Sequence, residues 1–241
     1  EKNEVHSKLY YEGKNINKWS LDSERWIEYN NERSPKKWSR KGFPEFFEAN
    51  KIVVMRSPGK TPRAFLDKQK GIFNESAIGF VRWSDLKGVA NKSISKSYND
   101  EKERYQFEQL SENFTLDYLI AIMNSNLIKY ELNADRRSNI HIYPDDWRKI
   151  KIVVSDKQRQ APYIKLVERI RKDTFNLNSL SIKFTKYLNL QFSLSDLPKK
   201  LQNWQELDFG EFIKELNKAI KKVGGEKLTK IDEMDWMDVF E

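Results

Sequence analysis

The spacing of apolar residues changes once along this chain, near Val154, and that change limits what it can fold into. Before it, apolar residues come in short runs bounded by turn residues. KIVVMRS (residues 51–57) is rich in β-branched side chains and is followed by Pro58-Gly59 and Thr61-Pro62, so it reads as a strand ending in a turn. SAIGFVRW (76–83), NIHIYP (139–144) and KIKIVV (149–154) read as three more strands. Among them, TLDYLIAIMNSNLIKYEL (115–132) places Leu116, Leu119, Ile120, Met123 and Leu127 at helical spacing, with Thr115 as N-cap. The polar stretch 91–108 is expected to be a mobile loop or insertion.

After Val154 the period is helical. Ser155 and Gln158 form an S-x-x-Q capping box, and Ile164, Val167 and Ile170 start an amphipathic helix that Pro162 is expected to interrupt early. Leu177, Leu180, Phe184 and Leu188 continue the stripe. Asp208-x-x-Glu211 opens FGEFIKELNKAIKKV, which stops at Gly224-Gly225, and a last amphipathic piece carries Met234, Trp236, Met237 and Phe240. The expectation is an α+β fold: a mixed, mainly antiparallel sheet domain over residues 1–154, then a helical region over 155–241.

Composition narrows the class. With 14 Phe, 10 Tyr and 7 Trp in 241 residues, the chain has aromatic surface enough for a packed core. No apolar run approaches the roughly 20 residues that cross a bilayer, and no signal-peptide pattern opens the sequence. It has no cysteine, which excludes disulfides and thiolate metal sites and suits a cytoplasmic location. It starts at Glu1 without methionine, so it is expected to be a segment of something longer.

Charge is concentrated. RSPKKWSRKG (33–42) holds five cations and no acid. From residue 33 to residue 70 there are eleven basic residues against three acids, a surplus equal to the formal net charge of +8. A concentrated excess is the electrostatic footprint of nucleic-acid binding, whereas a diffuse one would only aid solubility. Because the block is internal and laced with Trp38, Phe43, Phe46 and Phe47, it does not read as a tail.

Catalytic patterns are missing. There is no Pro-Pro pair and no G-x-G, which an adenine methyltransferase needs for its flipped base and methyl donor. Pro144-Asp145 is the one Pro-Asp pair, and no acid-x-Lys follows it as a magnesium nuclease would require. His6 and His141 are the only histidines, too few for a zinc site without thiols, and His141 reads as a hydrogen-bonded structural imidazole.

Several stretches in order resemble the TaqI-like C-terminal specificity domain, the target-recognition module of type IIG restriction-modification enzymes. YYEGKNINKW (10–19) resembles the opening of these modules, and FNESAIGFV (73–81) their Asn-x-Ser strand entry; NKSISKSYN (91–99) falls in the expected order. LIAIMNSNLIKYEL (119–132) is similar to their Leu-rich helix with a central Asn-Ser, here Asn124-Ser125. IHIYPDDWRKIKIVV followed by SDKQRQAPYIKLVERI resembles the strand-to-helix exit, with Lys151 where Pro is usual. LQNWQELDFGEFIKEL and MDWMDVFE resemble the closing tail.

The resemblance implies a sequence-specific DNA-recognition module with no catalytic site and no cofactor of its own. The parent would be a type II restriction enzyme with DNA adenine methyltransferase activity, using S-adenosylmethionine and Mg²⁺. The implied partners are double-stranded DNA and an upstream methyltransferase domain of the same chain. The expected DNA-binding residues are Lys14, Arg33, Lys36, Lys37, Arg40, Lys41, Arg56, Lys60, Arg63, Lys68, Lys70, Arg136 and Arg137. Lys36, Lys37, Arg40 and Lys41 suit phosphate anchoring, Arg56 or Arg63 suits base reading, and Trp38 suits packing. The helical region would pack against the methyltransferase domain or form a local core. Two other readings stay open: an RNA-binding module, and an enzyme segment with an unrecognised nuclease site.

Overall fold

Strands in the computed structural model, which describes residues 2–23, 25–29, 43–135 and 137–240, form two small sheets. They are β1 (Lys8–Tyr11), β2 (Arg25–Ile27), β3 (Lys51–Met55), β4 (Ala64–Asp67), β5 (Ile72–Phe73) and β6 (Ala77–Phe80). One sheet has the order β2-β1-β5, antiparallel then parallel; the other has the order β4-β3-β6, antiparallel throughout. The fold is α+β, as the change of period implies. The chain divides into two compact units, Glu1–Lys172 and Asp173–Glu241.

In the first unit, β3 is buried on both faces, which is why KIVVM reads as a continuous apolar run. Ile52, Val54, Ala64 and Leu66 pack with Ile120, Met123, Ile128, Leu132, Ile142, Trp147 and Val167. Val53 and Phe65, on the alternate face, pack with Leu9, Tyr11 and Ile16. Helices α1 (Pro44–Glu48), α2 (Glu101–Glu112), α3 (Leu116–Met123), α4 (Asn126–Asp135) and α5 (Pro144–Arg148) belong here, and the division between units falls inside α6 (Lys157–Gln191).

Across β3 and β4, Lys51 stands opposite Asp67. Both are fully buried, with Nζ 2.9 Å from Oδ2. The same carboxylate accepts from the Tyr11 hydroxyl (2.8 Å) and from the Gln69 and Gly71 N–H groups, while Lys51 also donates to the Phe47 carbonyl. Lys51 is therefore a core ion-pair member and no part of a cationic surface.

Gly13 shows why the first of the quoted stretches needs a glycine. Its N–H donates to Ser76 Oγ (2.7 Å), and a Cβ there would lie 2.3 Å from the Ser76 carbonyl oxygen. Thr115 caps α3, its Oγ1 accepting from the Tyr118 N–H (3.2 Å). The helix expected over 115–132 breaks at Asn124-Ser125, and the break frees a side chain for the sheet. Asn124 Oδ1 accepts from the Ala64 N–H (3.1 Å), and Nδ2 donates to the Ala64 carbonyl (2.9 Å). Asn124→Ala is expected to destabilise the first unit by roughly 1–3 kcal/mol, since it strands the buried Ala64 N–H. In urea unfolding the midpoint should fall with an unchanged m-value.

Other expectations need correction. Residues 139–144 and 149–154 are not strands. Ile142 enters the core from an extended segment held by one backbone bond, its N–H to the Arg56 carbonyl (2.8 Å), and Trp147 enters from α5. The stretch 91–108, expected as a mobile loop or insertion, holds a 3-10 turn at Ser95–Ser97 and most of α2. Asp100 caps α2, and Arg104 reaches Glu108 (2.9 Å) and the Leu86 carbonyl (3.1 Å). The cap of α6 is Asp156, which accepts from the Arg159 N–H (2.8 Å), rather than Ser155. Pro162 does not interrupt that helix.

In the second unit, Leu188, Leu201, Phe212, Leu216 and Trp236 form the core, with Phe184 packed against it, while Leu177 and Leu180 are exposed. Helices α7 (Lys199–Gln202), α8 (Phe209–Lys222) and α9 (Lys230–Phe240) complete the unit. Asp208 caps α8 as expected, accepting from the Glu211 N–H (2.8 Å). The far end is a Schellman motif: the Gly225 N–H reaches the Ile220 carbonyl and the Gly224 N–H the Lys221 carbonyl, with Gly224 at φ 82°.

Candidate nucleic-acid interface

The turn joining β3 to β4, residues 56–63, carries three of the expected cations. The Met55 N–H donates to the Arg63 carbonyl (3.0 Å), which closes the hairpin with Arg63 opposite Met55. Lys60 and Arg63 are exposed and have no acid partner among the described residues. The Arg56 guanidinium is half-buried, 5.3 Å from the Tyr143 ring centroid and 3.4 Å from the Glu75 carbonyl. That leaves Arg63 as the hairpin arginine whose guanidinium has no partner among the described residues.

Two further lysines meet this end of the hairpin. Residues 17–20 form a tight turn, closed by the Asn17 N–H to the Ser20 carbonyl (3.0 Å). Its Trp19 adopts φ 75°, a left-handed conformation uncommon for an aromatic residue and costing about 1–3 kcal/mol. It is held there by the Trp19 N–H to the Ala64 carbonyl (3.0 Å) and by packing of the ring against the core. The neighbouring Lys18 is half-buried, and its ammonium is pushed below the ordinary lysine pKa, first by burial and then by the Lys129 charge. Lys129 lies on α4, where Asn133 donates to the carbonyls of both Lys129 and Lys60. Lys18, Lys60, Arg63 and Lys129 thus border one end of the β3–β4 hairpin, and none has an acid partner among the described residues.

Lys18 and Lys129 were missed from sequence. Lys18 lies within YYEGKNINKW and Lys129 within LIAIMNSNLIKYEL, so both signals were present, but 111 positions separate them.

The other expected residues are placed differently. Lys14 pairs with Glu12 (2.9 Å), and Arg137 pairs with Asp145 (2.8 Å). Lys68 and Lys70 follow β4 at its opposite end; Lys68 is exposed without an acid partner among the described residues, and Lys70 lies 3.8 Å from Glu48. Arg33, Lys36, Lys37, Trp38, Arg40, Lys41 and Arg136 lie outside the described residues.

His141 Nδ1 is 2.6 Å from Ser57 Oγ, but among the described residues no carboxylate bonds its other nitrogen, so the pair lacks the third member that would activate a nucleophile. An apolar pocket of about 240 Å³ is lined by Phe80, Trp83, Leu116, Leu119 and Trp147. The Arg82 guanidinium at its wall is taken by Asp85 (2.6 and 2.8 Å) and by the Phe114 carbonyl. No group of three His, Cys, Asp or Glu among the described residues could hold a metal ion. Among the described residues, no helix is long and apolar enough to cross a membrane.

Residues 156–241 are similar to a domain of unknown function, DUF8810. The match begins at the residue that caps α6 and covers less than half of the chain. A search among curated proteins gives no match.

Proposed function

We propose that this chain is a sequence-specific DNA-recognition module of a type II restriction-modification enzyme, cytoplasmic and without a catalytic site of its own. The observation that carries the binding part is the set Lys18, Lys60, Arg63 and Lys129, cations without acid partners among the described residues, at one end of the β3–β4 hairpin. Placing a half-buried ammonium beside a second one is unfavourable unless an anion completes the site. In this reading the three lysines contact phosphates and set the register on the duplex. Arg63 presents a guanidinium able to bond guanine O6 and N7, worth about 1–3 kcal/mol of discrimination. The restriction-modification context rests on the resemblance of the quoted stretches. Methyl transfer with S-adenosylmethionine and Mg²⁺-dependent cleavage would then belong to a methyltransferase domain and its parent enzyme.

The test is duplex binding by the 241-residue chain across a salt series, followed by selection from randomised duplexes. Binding is expected to weaken steeply between about 50 and 200 mM salt, and selection is expected to enrich one sequence. Salt-independent binding, or no enrichment, would overturn the reading. Tighter binding to single-stranded RNA than to duplex DNA would favour the RNA-binding alternative. Cleavage or methylation of DNA by the purified chain with Mg²⁺ and methyl donor would favour the enzyme alternative.

A further inference from the structure

Five lysines line one groove of the second unit. Lys214, Lys218 and Lys221 stand on α8 at spacings of four and three residues, so they follow one side of the helix over about 10 Å. Beyond the Gly224-Gly225 stop, the chain is drawn back along α8 by the Leu228 N–H, which donates to Asn217 Oδ1 (2.8 Å). That bond brings Lys227 and Lys230 to the same groove, which has a volume of about 640 Å³.

Two of the five charges are offset. Lys218 bonds Glu215 (2.8 Å), and Lys230 bonds Glu233 (2.6 Å). Lys214, Lys221 and Lys227 are exposed and have no acid partner among the described residues. Like charges gathered in a concavity repel one another and focus a positive potential on whatever anion enters.

We propose that this groove binds a phosphodiester backbone, one strand of a DNA duplex, as a second contact surface besides the hairpin end. It rests on the DNA-binding reading for the identity of the polyanion. The α8 lysines extend over about 10 Å, the advance of about three phosphates along one strand of duplex. A compact phosphorylated ligand would call for donors converging on a point, whereas the three on α8 are strung in a row. All five cations are lysines, point charges suited to phosphate and poor at two-pronged base contacts. The contact is therefore blind to sequence: it adds affinity and leaves specificity to the first unit.

The test uses the full chain and a triple variant, Lys214→Ala, Lys221→Ala and Lys227→Ala, all at exposed positions, with circular dichroism to check folding. Duplex affinity is expected to fall roughly a hundredfold near 150 mM salt, with the log–log salt slope shallower by about 2.7. The sequence enriched from randomised duplexes should stay the same. An unchanged slope overturns the proposal. So does tight binding of inorganic tripolyphosphate that the triple variant loses while its duplex affinity is intact, which would make the groove a small-phosphate site. The two readings fail separately. A flat response to Lys60→Ala with Arg63→Ala removes the hairpin interface and leaves the groove standing, and a flat response to the groove variant does the reverse.

Discussion

Asp67→Ala is expected to cost the first unit about 3–5 kcal/mol, a large share of the stability of a domain of this size. The carboxylate holds four donors at once: the Lys51 ammonium, the Tyr11 hydroxyl and the N–H groups of Gln69 and Gly71. Its removal strands a fully buried ammonium, which burial already pushes below the ordinary lysine pKa against the pull of Asp67. Lys51→Met is expected to be milder, since Asp67 keeps its other three donors. Equilibrium urea unfolding of both variants checks the order, and equal losses would contradict it.

The same cluster sets a pH dependence. Burial and the adjacent Asp67 charge push the Tyr11 hydroxyl well above the ordinary phenol range, so it keeps its proton in the fold when the unfolded chain has lost it. This stabilisation is fully present below about pH 10 and declines as pH rises above it, by about 1.4 kcal/mol per unit. The stability difference between the wild type and Tyr11→Phe should accordingly shrink above about pH 10. A difference constant across that range would contradict the shift.

Removing the hairpin cations should produce the second large effect. Lys60→Ala, Arg63→Ala and Lys129→Ala together are expected to lower duplex affinity roughly a hundredfold near 150 mM salt and to flatten the salt slope by about 2.7. Arg63→Ala alone should also relax discrimination at one base pair. Lys68 and Lys70 lie at the other end of β4, so Lys68→Ala with Lys70→Ala should change the slope by less than about one unit. If that pair matters more than the hairpin set, the footprint has been assigned to the wrong end of the sheet.

What the amino-acid pattern revealed depended on how local each cause was. Helix α8 was readable from end to end, because Asp208 and Gly224-Gly225 punctuate it and its apolar positions repeat at helical spacing. Strands β3 and β6 were readable because β-branched or apolar runs sit between turn residues. Strands β1, β2, β4 and β5 are two to four residues long, and distant pairings such as β1 with β5 define them. The alternation in NIHIYP and KIKIVV imitated strands, but no strand among the described residues offers either segment a ladder. Of the site, the hairpin cations were readable as a charge block, whereas Lys18 and Lys129 come together only through the fold. Lys51 falls inside the charge block by count alone, whereas a hairpin with its turn at residues 56–63 sets it across from Asp67.

The amide of Asn124 has a consequence beyond the stability of its own contacts. Strand β4 is the outermost strand of its sheet, and an outermost strand offers unpaired N–H and carbonyl groups to any extended chain that drifts past. At Ala64 both groups are taken, by the Asn124 side chain and, at the carbonyl, also by Trp19. One carboxamide in the gap between α3 and α4 thus stands where a neighbouring strand would pair. Without it the Ala64 N–H is the group left for an approaching strand, since Trp19 still holds the carbonyl, so the carboxamide guards the donor half of this edge position.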